Sequence, residues 1–262
     1  YEETICEGGQ TVLTANVDDN NLEDLMYRWF NTTMNDTIYG ATQATLTVAP
    51  TATTQYFVQV YQVGSECVST DSITINVNPI PVVDTVILTQ YEICDGGQIT
   101  ITGQASGGVG TDYVYTWYRN GDLIEGVTAS TFSESPMTED GNITEYTYTA
   151  IVSQVASGCT SLPFTSDAII VNPNPTIVIS GDPQICEADR ISLTANVTDN
   201  YPTAGLTYTW KLVNDTVGTG VAYDTLVPAR DHAYTYTVVV ANENGCVSES
   251  APFSVTVNPR PV

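Results

Sequence analysis

Six cysteines carry most of the chemistry available to this sequence: Cys6, Cys67, Cys94, Cys159, Cys186 and Cys246. Thiols bind soft metals, attack substrates or pair with each other, and their spacing separates these uses. No two of them form a C-x-x-C, and His232 is the single histidine, so the pattern of a zinc site is missing. They fall instead into two sets at matching places. Cys6, Cys94 and Cys186 each follow an isoleucine and precede an acidic residue, whereas Cys67, Cys159 and Cys246 come some 60 residues later. Matched cysteines in small β-rich modules read as disulfides, which form in an oxidising, extracytoplasmic setting.

The remaining reactive groups point away from catalysis. With one histidine, no Ser-His-Asp arrangement can recur along the chain. The 30 acidic residues will produce chance carboxylate pairs, but nothing in the sequence sets two across a cleft. No glycine-rich turn precedes a helical pattern, so a phosphate cradle is not expected either. We therefore expect no enzyme. The net charge of −24 repels nucleic acid and anionic membrane surfaces and attracts cations. Calcium is the one cofactor candidate, because Asp18, Asp19 and Asp24, with Asp199 at the matching place later, crowd oxygen ligands into loops. No D-x-D-x-D-G loop occurs, so a solvated acidic loop is the competing reading.

The elements that position these groups are written three times. Ile5-Cys6-Glu7-Gly8-Gly9, Ile93-Cys94-Asp95-Gly96-Gly97 and Ile185-Cys186-Glu187-Ala188-Asp189 open the copies. Each copy continues with a Tyr-x-Trp (Trp29, Trp117, Trp210), an alternating strand, the second cysteine and an Asn-Pro-x-Pro. Self-similarity at this period marks a tandem array of domains. The expected domains are 1–82, with an incomplete first strand, 83–175 and 176–262, as if cut from a longer array. Period-2 runs predict strands at 10–17, 25–30, 45–48, 55–61 and 72–77 in the first copy. The same reading gives 86–89, 98–104, 113–119, 146–152 and 167–171 in the second, and 176–180, 191–197, 206–212, 234–241 and 253–257 in the third. No run has a helical period, and none approaches the length of a membrane span.

About seven short strands per copy, with a tryptophan on the third, predicts an all-β fold of three tandem immunoglobulin-like sandwiches in an extended rod. Trp29, Trp117 and Trp210 are then core plugs, and Tyr56, Tyr146 and Tyr234 stand where a tyrosine corner would. Exposed tyrosines offer a sugar-stacking surface as the functional alternative. The Asn-Pro-x-Pro linkers fix φ twice in four residues and favour extended geometry.

On this plan the first cysteine of each copy lies in the turn after the first strand, and the second in the hairpin after the sixth. Those loops lie at opposite poles, about 20 Å apart along a six-residue strand, whereas bridged Cα atoms lie within about 7 Å. Two patterns stay open. Bonds within copies would join Cys6–Cys67, Cys94–Cys159 and Cys186–Cys246. Bonds between copies would join Cys6–Cys159 and Cys94–Cys246, leaving Cys67 and Cys186 over.

The order I-C-x-G, Y-x-W, Y-x-V-x-V, G-C and V-x-V-N-P-x-P resembles the immunoglobulin-like and PKD-like repeats of large Bacteroidota surface proteins. These include adhesins exported by the type IX pathway, such as those of gliding motility. The third copy departs from the pattern at Ala188-Asp189, which puts its turn in doubt. The resemblance implies a structural or adhesive segment of a surface fibre or filament, outside the cell. Its expected partners are neighbouring repeats, surface glycans or other cells, with no nucleic acid and no membrane insertion. A spacer or carbohydrate-binding module of a secreted polysaccharide-degrading enzyme is the alternative. The resemblance also implies O-glycosylation at Asp-Ser/Thr-aliphatic triplets, here at Thr37, Ser72, Thr85, Thr216 and Thr225.

Overall fold

Alternating Val, Ile, Thr and Tyr carry through into the backbone: every helix or strand element among the described residues is a strand. The computed structural model describes residues 2–18, 24–32, 37–64, 67–198, 203–226 and 232–260. Strands β1 (Glu2–Cys6), β2 (Thr11–Thr14), β3 (Leu25–Asn31), β4 (Thr45–Val48), β5 (Thr54–Gln62) and β6 (Val68–Asn78) come first. Next are β7 (Pro81–Leu88), β8 (Glu92–Cys94), β9 (Ile99–Gly107), β10 (Tyr113–Arg119) and β11 (Asp122–Leu123). They are followed by β12 (Thr131–Glu134), β13 (Thr144–Tyr146), β14 (Tyr148–Gln154), β15 (Phe164–Thr165) and β16 (Ile169–Asn172). The last nine are β17 (Ile177–Gly181), β18 (Gln184–Cys186), β19 (Arg190–Val197), β20 (Thr207–Leu212), β21 (Asp215–Thr219), β22 (Ala222–Leu226), β23 (His232–Ala241), β24 (Val247–Glu249) and β25 (Phe253–Asn258).

The chain forms two compact units. The first gathers Tyr1–Ile87, Thr102–Phe132 and Tyr148–Ser166, and the second Leu88–Ile101, Ser133–Thr147 and Asp167–Val262. The second repeat copy thus contributes residues to both.

In the first unit, one sheet has the order β1-β6-β5-β3 and β2 pairs with β4. Leu13, Trp29, Val48, Tyr56, Val58 and Ile75 form the core there. A second sheet, β11-β10-β14-β15, sets Trp117 opposite Ala150. Trp117 packs between Tyr115 and Phe132, with ring centroids 5.6 and 5.2 Å away. Gly103 makes room for this stack, because a Cβ there would come within 2.7 Å of the Tyr115 ring and 3.0 Å of Trp117.

In the second unit, β18-β25-β23-β20-β21 form a sheet with β24 added on β23, beside β17-β19-β22. Trp210 lies opposite Val238, in a core with Ile191, Leu193, Tyr236, Val240 and Val255. Burial there pushes the Tyr236 phenol up to about 12, helped by its neighbours Tyr223 and Tyr234. A third sheet of this unit is β13-β16-β8.

The three tryptophans share one solution to a polar problem. Trp29, Trp117 and Trp210 are 2%, 0% and 0% exposed, so each indole N–H needs a partner. Each donates to a backbone carbonyl at 2.9 Å, of Gln43, Ala129 and Gly220 respectively.

Several elements differ from expectation. The first cysteines are not in a turn: each ends a short strand that runs parallel to the last strand of its copy. Glu2–Cys6 accordingly stands in the place of β8 and β18, not in that of the strand containing 86–89. A three-residue strand such as Glu-Ile-Cys is too short to show a period. The single strand expected at 146–152 is split at Thr147, with β13 pairing to β16 and β14 to β10. His232, the single histidine, opens strand β23.

Candidate functional site

Each first cysteine sits in a frame built by its neighbours. Parallel pairing sets Cys6 opposite Asn78, Cys94 opposite Asn172 and Cys186 opposite Asn258, the asparagine of each Asn-Pro linker. The next amide donates to that asparagine's carbonyl: Glu7 at 2.8 Å, Asp95 at 2.8 Å and Glu187 at 2.9 Å. The chain then reverses, and the amides of Gly9, Gly97 and Asp189 return to the carbonyls of Cys6, Cys94 and Cys186.

This reversal needs a left-handed residue, supplied by Gly8 (φ 80°), Gly96 (φ 75°) and, in the third copy, Ala188 (φ 70°). The turn doubted from the sequence is therefore the same turn, with alanine accepting a conformation that disfavours a Cβ by about 1–2 kcal/mol. Side chains brace it. Asp189 accepts the Cys186 amide at 3.2 Å and an Arg260 guanidinium N–H at 2.6 Å, while Arg260 Nε–H donates to the Glu187 carbonyl at 2.7 Å.

The second cysteines close hairpins. The amides of Gln154 and Asn242 donate to the carbonyls of Cys159 and Cys246, both at 3.0 Å, and both cysteines are buried. Gly158 and Gly245, immediately before them, have φ of 68° and 80°.

The disulfides join frame to hairpin across copies. Cys6 bonds Cys159 within the first unit, and Cys94 bonds Cys246 within the second. Their Cα atoms are 5.6 and 5.3 Å apart, although 153 and 152 positions separate them in sequence. The within-copy pattern is incompatible with these bonds. Cys67 and Cys186, expected in disulfides like the other four, lie outside both and are exposed. The reason is the offset itself: bonding each frame to the next copy's hairpin leaves one of each kind over in any three copies. Polar contacts reinforce the second joint. The Asn244 side-chain amide donates to Asn172 Oδ1 and that of Asn172 to Glu92, both at 2.9 Å. Asn174 donates to the Asp95 carbonyl at 3.1 Å. Sequence reasoning missed Asn172 and Asn244, whose only signals are the repeated Asn-Pro and a residue two before a cysteine.

The other candidates are dispersed. Asp18 and Asp24 are exposed, Asp19 and Asp199 lie outside the described residues, and no group of three or more His, Cys, Asp or Glu gathers among the described ones. Of the five hydroxyls, only Thr216 is on an exposed residue. Thr37 accepts two N–H groups of Arg28, Ser72 accepts one from Gln55, and Thr85 and Thr225 are half-buried. The Arg190 guanidinium beside Asp224 holds that carboxyl below the usual range, in an exposed pair at 2.8 Å. An open groove is lined by Tyr27, Arg28, Ile38, Tyr39, Ala41 and Tyr61, among others. Of these, Tyr39 is fully exposed.

Residues 1–79 match the family described as Ig-like domain, CHU_C associated. No curated protein matches the chain in sequence. Among solved structures, the chain is similar to Sidekick-1 immunoglobulin domains 1–5 at 14% identity and a TM-score of 0.34, covering 99% of this chain and 58% of that one. It is similar to the N-terminal eight immunoglobulin domains of Down syndrome cell adhesion molecule at 14% identity and 0.39, covering 100% and 35%. It is also similar to titin domains I67–I69 in an E-to-A mutated variant, at 12% and 0.42, covering 99% and 96%. The chain therefore spans under two thirds of the length of the first two. Its fold is all-β and immunoglobulin-like, as the sequence led us to expect.

Closing a loop of some 150 residues restrains the unfolded chain by about 5 kcal/mol in the chain-entropy model. Cys246→Ala is expected to lower the stability of the second unit by about 3–5 kcal/mol. Cys94→Ala should cost the same, and the double substitution little more, because both remove one bond. Thermal unfolding of the three variants checks this, and additive losses would contradict it.

Proposed function

We propose that this chain is a non-catalytic structural and adhesive segment of an extracellular, cell-surface fibre, made of three modules at 1–82, 83–175 and 176–262. The observation that carries this reading is the pair of disulfides between copies. Staples between successive repeats limit how far a chain extends under tension, which suits a load-bearing segment. Disulfides also suit an oxidising exterior. The family match of residues 1–79 and the uniformly acidic, soluble composition support the same reading. Thr216, exposed and preceded by Asp215, is the hydroxyl most accessible to a glycosyl group on this proposal.

Tension on the two ends distinguishes a stapled chain from an unstapled one. The shortest covalent path crosses from Cys6 to Cys159, returns to Cys94 and crosses to Cys246. At about 3.5 Å per residue this path extends to roughly 300 Å, against roughly 900 Å for the reduced chain. Single-molecule pulling with and without reductant measures both lengths. Equal extension in the two states would defeat the mechanical reading.

A glycan-binding module is the second reading, favoured by the groove whose lining includes Tyr27, Arg28, Tyr39 and Tyr61. Aromatic faces stack on sugar rings and a guanidinium binds acidic groups. On a glycan array this reading predicts binding that Tyr39→Ala weakens about tenfold or more. No binding by the unaltered chain would remove it.

A further inference from the structure

Three cysteine frames are present, and two of them are occupied. The third matches them bond for bond. Cys186 lies opposite Asn258 as Cys94 lies opposite Asn172, and Glu187 donates to Asn258 as Asp95 does to Asn172. The turn closes with the same amide-to-carbonyl bond and the same left-handed residue. Even the linker repeats its role: the side chain two residues after the asparagine, Asn174 or Arg260, donates to the carbonyl of Asp95 or Glu187.

The differences lie where a hairpin would sit. Asn172 is 2% exposed and accepts the Asn244 amide, whereas Asn258 is exposed. Cys94 is bonded, whereas Cys186 is an exposed thiol. Asp189 and Arg260 hold the turn in its bonded shape without the partner.

We propose that Cys186 and Asn258 form a docking surface for the hairpin of a further module of this kind, sealed by a disulfide. The two seated hairpins describe the partner. Each presents a small polar residue, a glycine and the cysteine, as Ser157-Gly158-Cys159 and Asn244-Gly245-Cys246. The polar residue reaches the linker asparagine in the second joint. Bonding proceeds by exchange with a small disulfide such as oxidised glutathione. The Cys186 thiolate attacks one glutathione sulfur and releases a glutathione thiolate. The incoming hairpin thiolate then attacks the Cys186 sulfur and releases the second glutathione. Two thiols lose two protons and two electrons, and one oxidised glutathione becomes two reduced ones.

The inference takes from the proposed function only the idea that the copies are modules. A second copy of this chain is a usable probe, because its exposed Cys67 occupies the hairpin place. Its sequence there is Ser65-Glu66-Cys67, so Glu66→Gly restores the Ser-Gly-Cys of a seated hairpin. The whole chain and this variant are incubated with oxidised and reduced glutathione, then digested without reduction and analysed by mass spectrometry. The expected product is a head-to-tail ladder bonded Cys186–Cys67. It should outnumber the symmetric Cys186–Cys186 and Cys67–Cys67 bonds about tenfold, the ratio of a 1.4 kcal/mol preference. Glu66→Gly should raise its yield, and Cys186→Ser should abolish it. Equal symmetric and asymmetric bonding would overturn the proposal, as would glutathionylation without cross-linking in both chains. Persistence of the Cys6–Cys159 and Cys94–Cys246 peptides in those failures would leave the stapled-segment reading standing.

Discussion

A disulfide tolerates Cα separations of only about 4–7 Å, and this chain meets that limit between residues more than 150 positions apart, twice. Everything at the ends of the repeat copies serves that constraint. The parallel strand pairing fixes where Cys6 and Cys94 leave the sheet, the left-handed residue turns the chain away, and the hairpin glycine turns the partner cysteine in. The two covalent loops overlap in sequence, since Cys94 lies between Cys6 and Cys159 and Cys159 lies between Cys94 and Cys246. Tension applied to one loop therefore passes into the other.

Each core follows from a simpler requirement. A buried indole has a large apolar surface and one N–H that water can no longer satisfy. The chain answers this three times with a backbone carbonyl 10 to 14 residues further on. That bond fixes the connection after the tryptophan strand as well as filling the sandwich. The third copy shows how much variation the plan accepts. It replaces both glycines of the cysteine turn yet keeps the geometry, because Asp189 and Arg260 supply hydrogen bonds that offset the strain at Ala188.

Much of this was legible in the residues. The threefold repeat, the all-strand character and the core tryptophans follow from spacing and alternation, which burial writes directly into sequence. The cysteine strands were not legible, because three residues such as Glu92-Ile93-Cys94 carry no period, and their parallel pairing to a strand some 80 residues away is non-local. Nor was the choice between disulfide patterns, since both satisfy the count and only three-dimensional placement tells them apart. The break at Thr147 was hidden for a related reason: alternation continues through Tyr146 and Tyr148 although the two change sheets.

Both covalent loops are defined by which cysteines are joined. Digestion of the oxidised chain without reduction, followed by mass spectrometry, reads this directly. Linked peptides containing Cys6 with Cys159 and Cys94 with Cys246 are the predicted result. Peptides joining Cys6 to Cys67, or Cys94 to Cys159, would contradict it and return each disulfide to a single copy of the repeat.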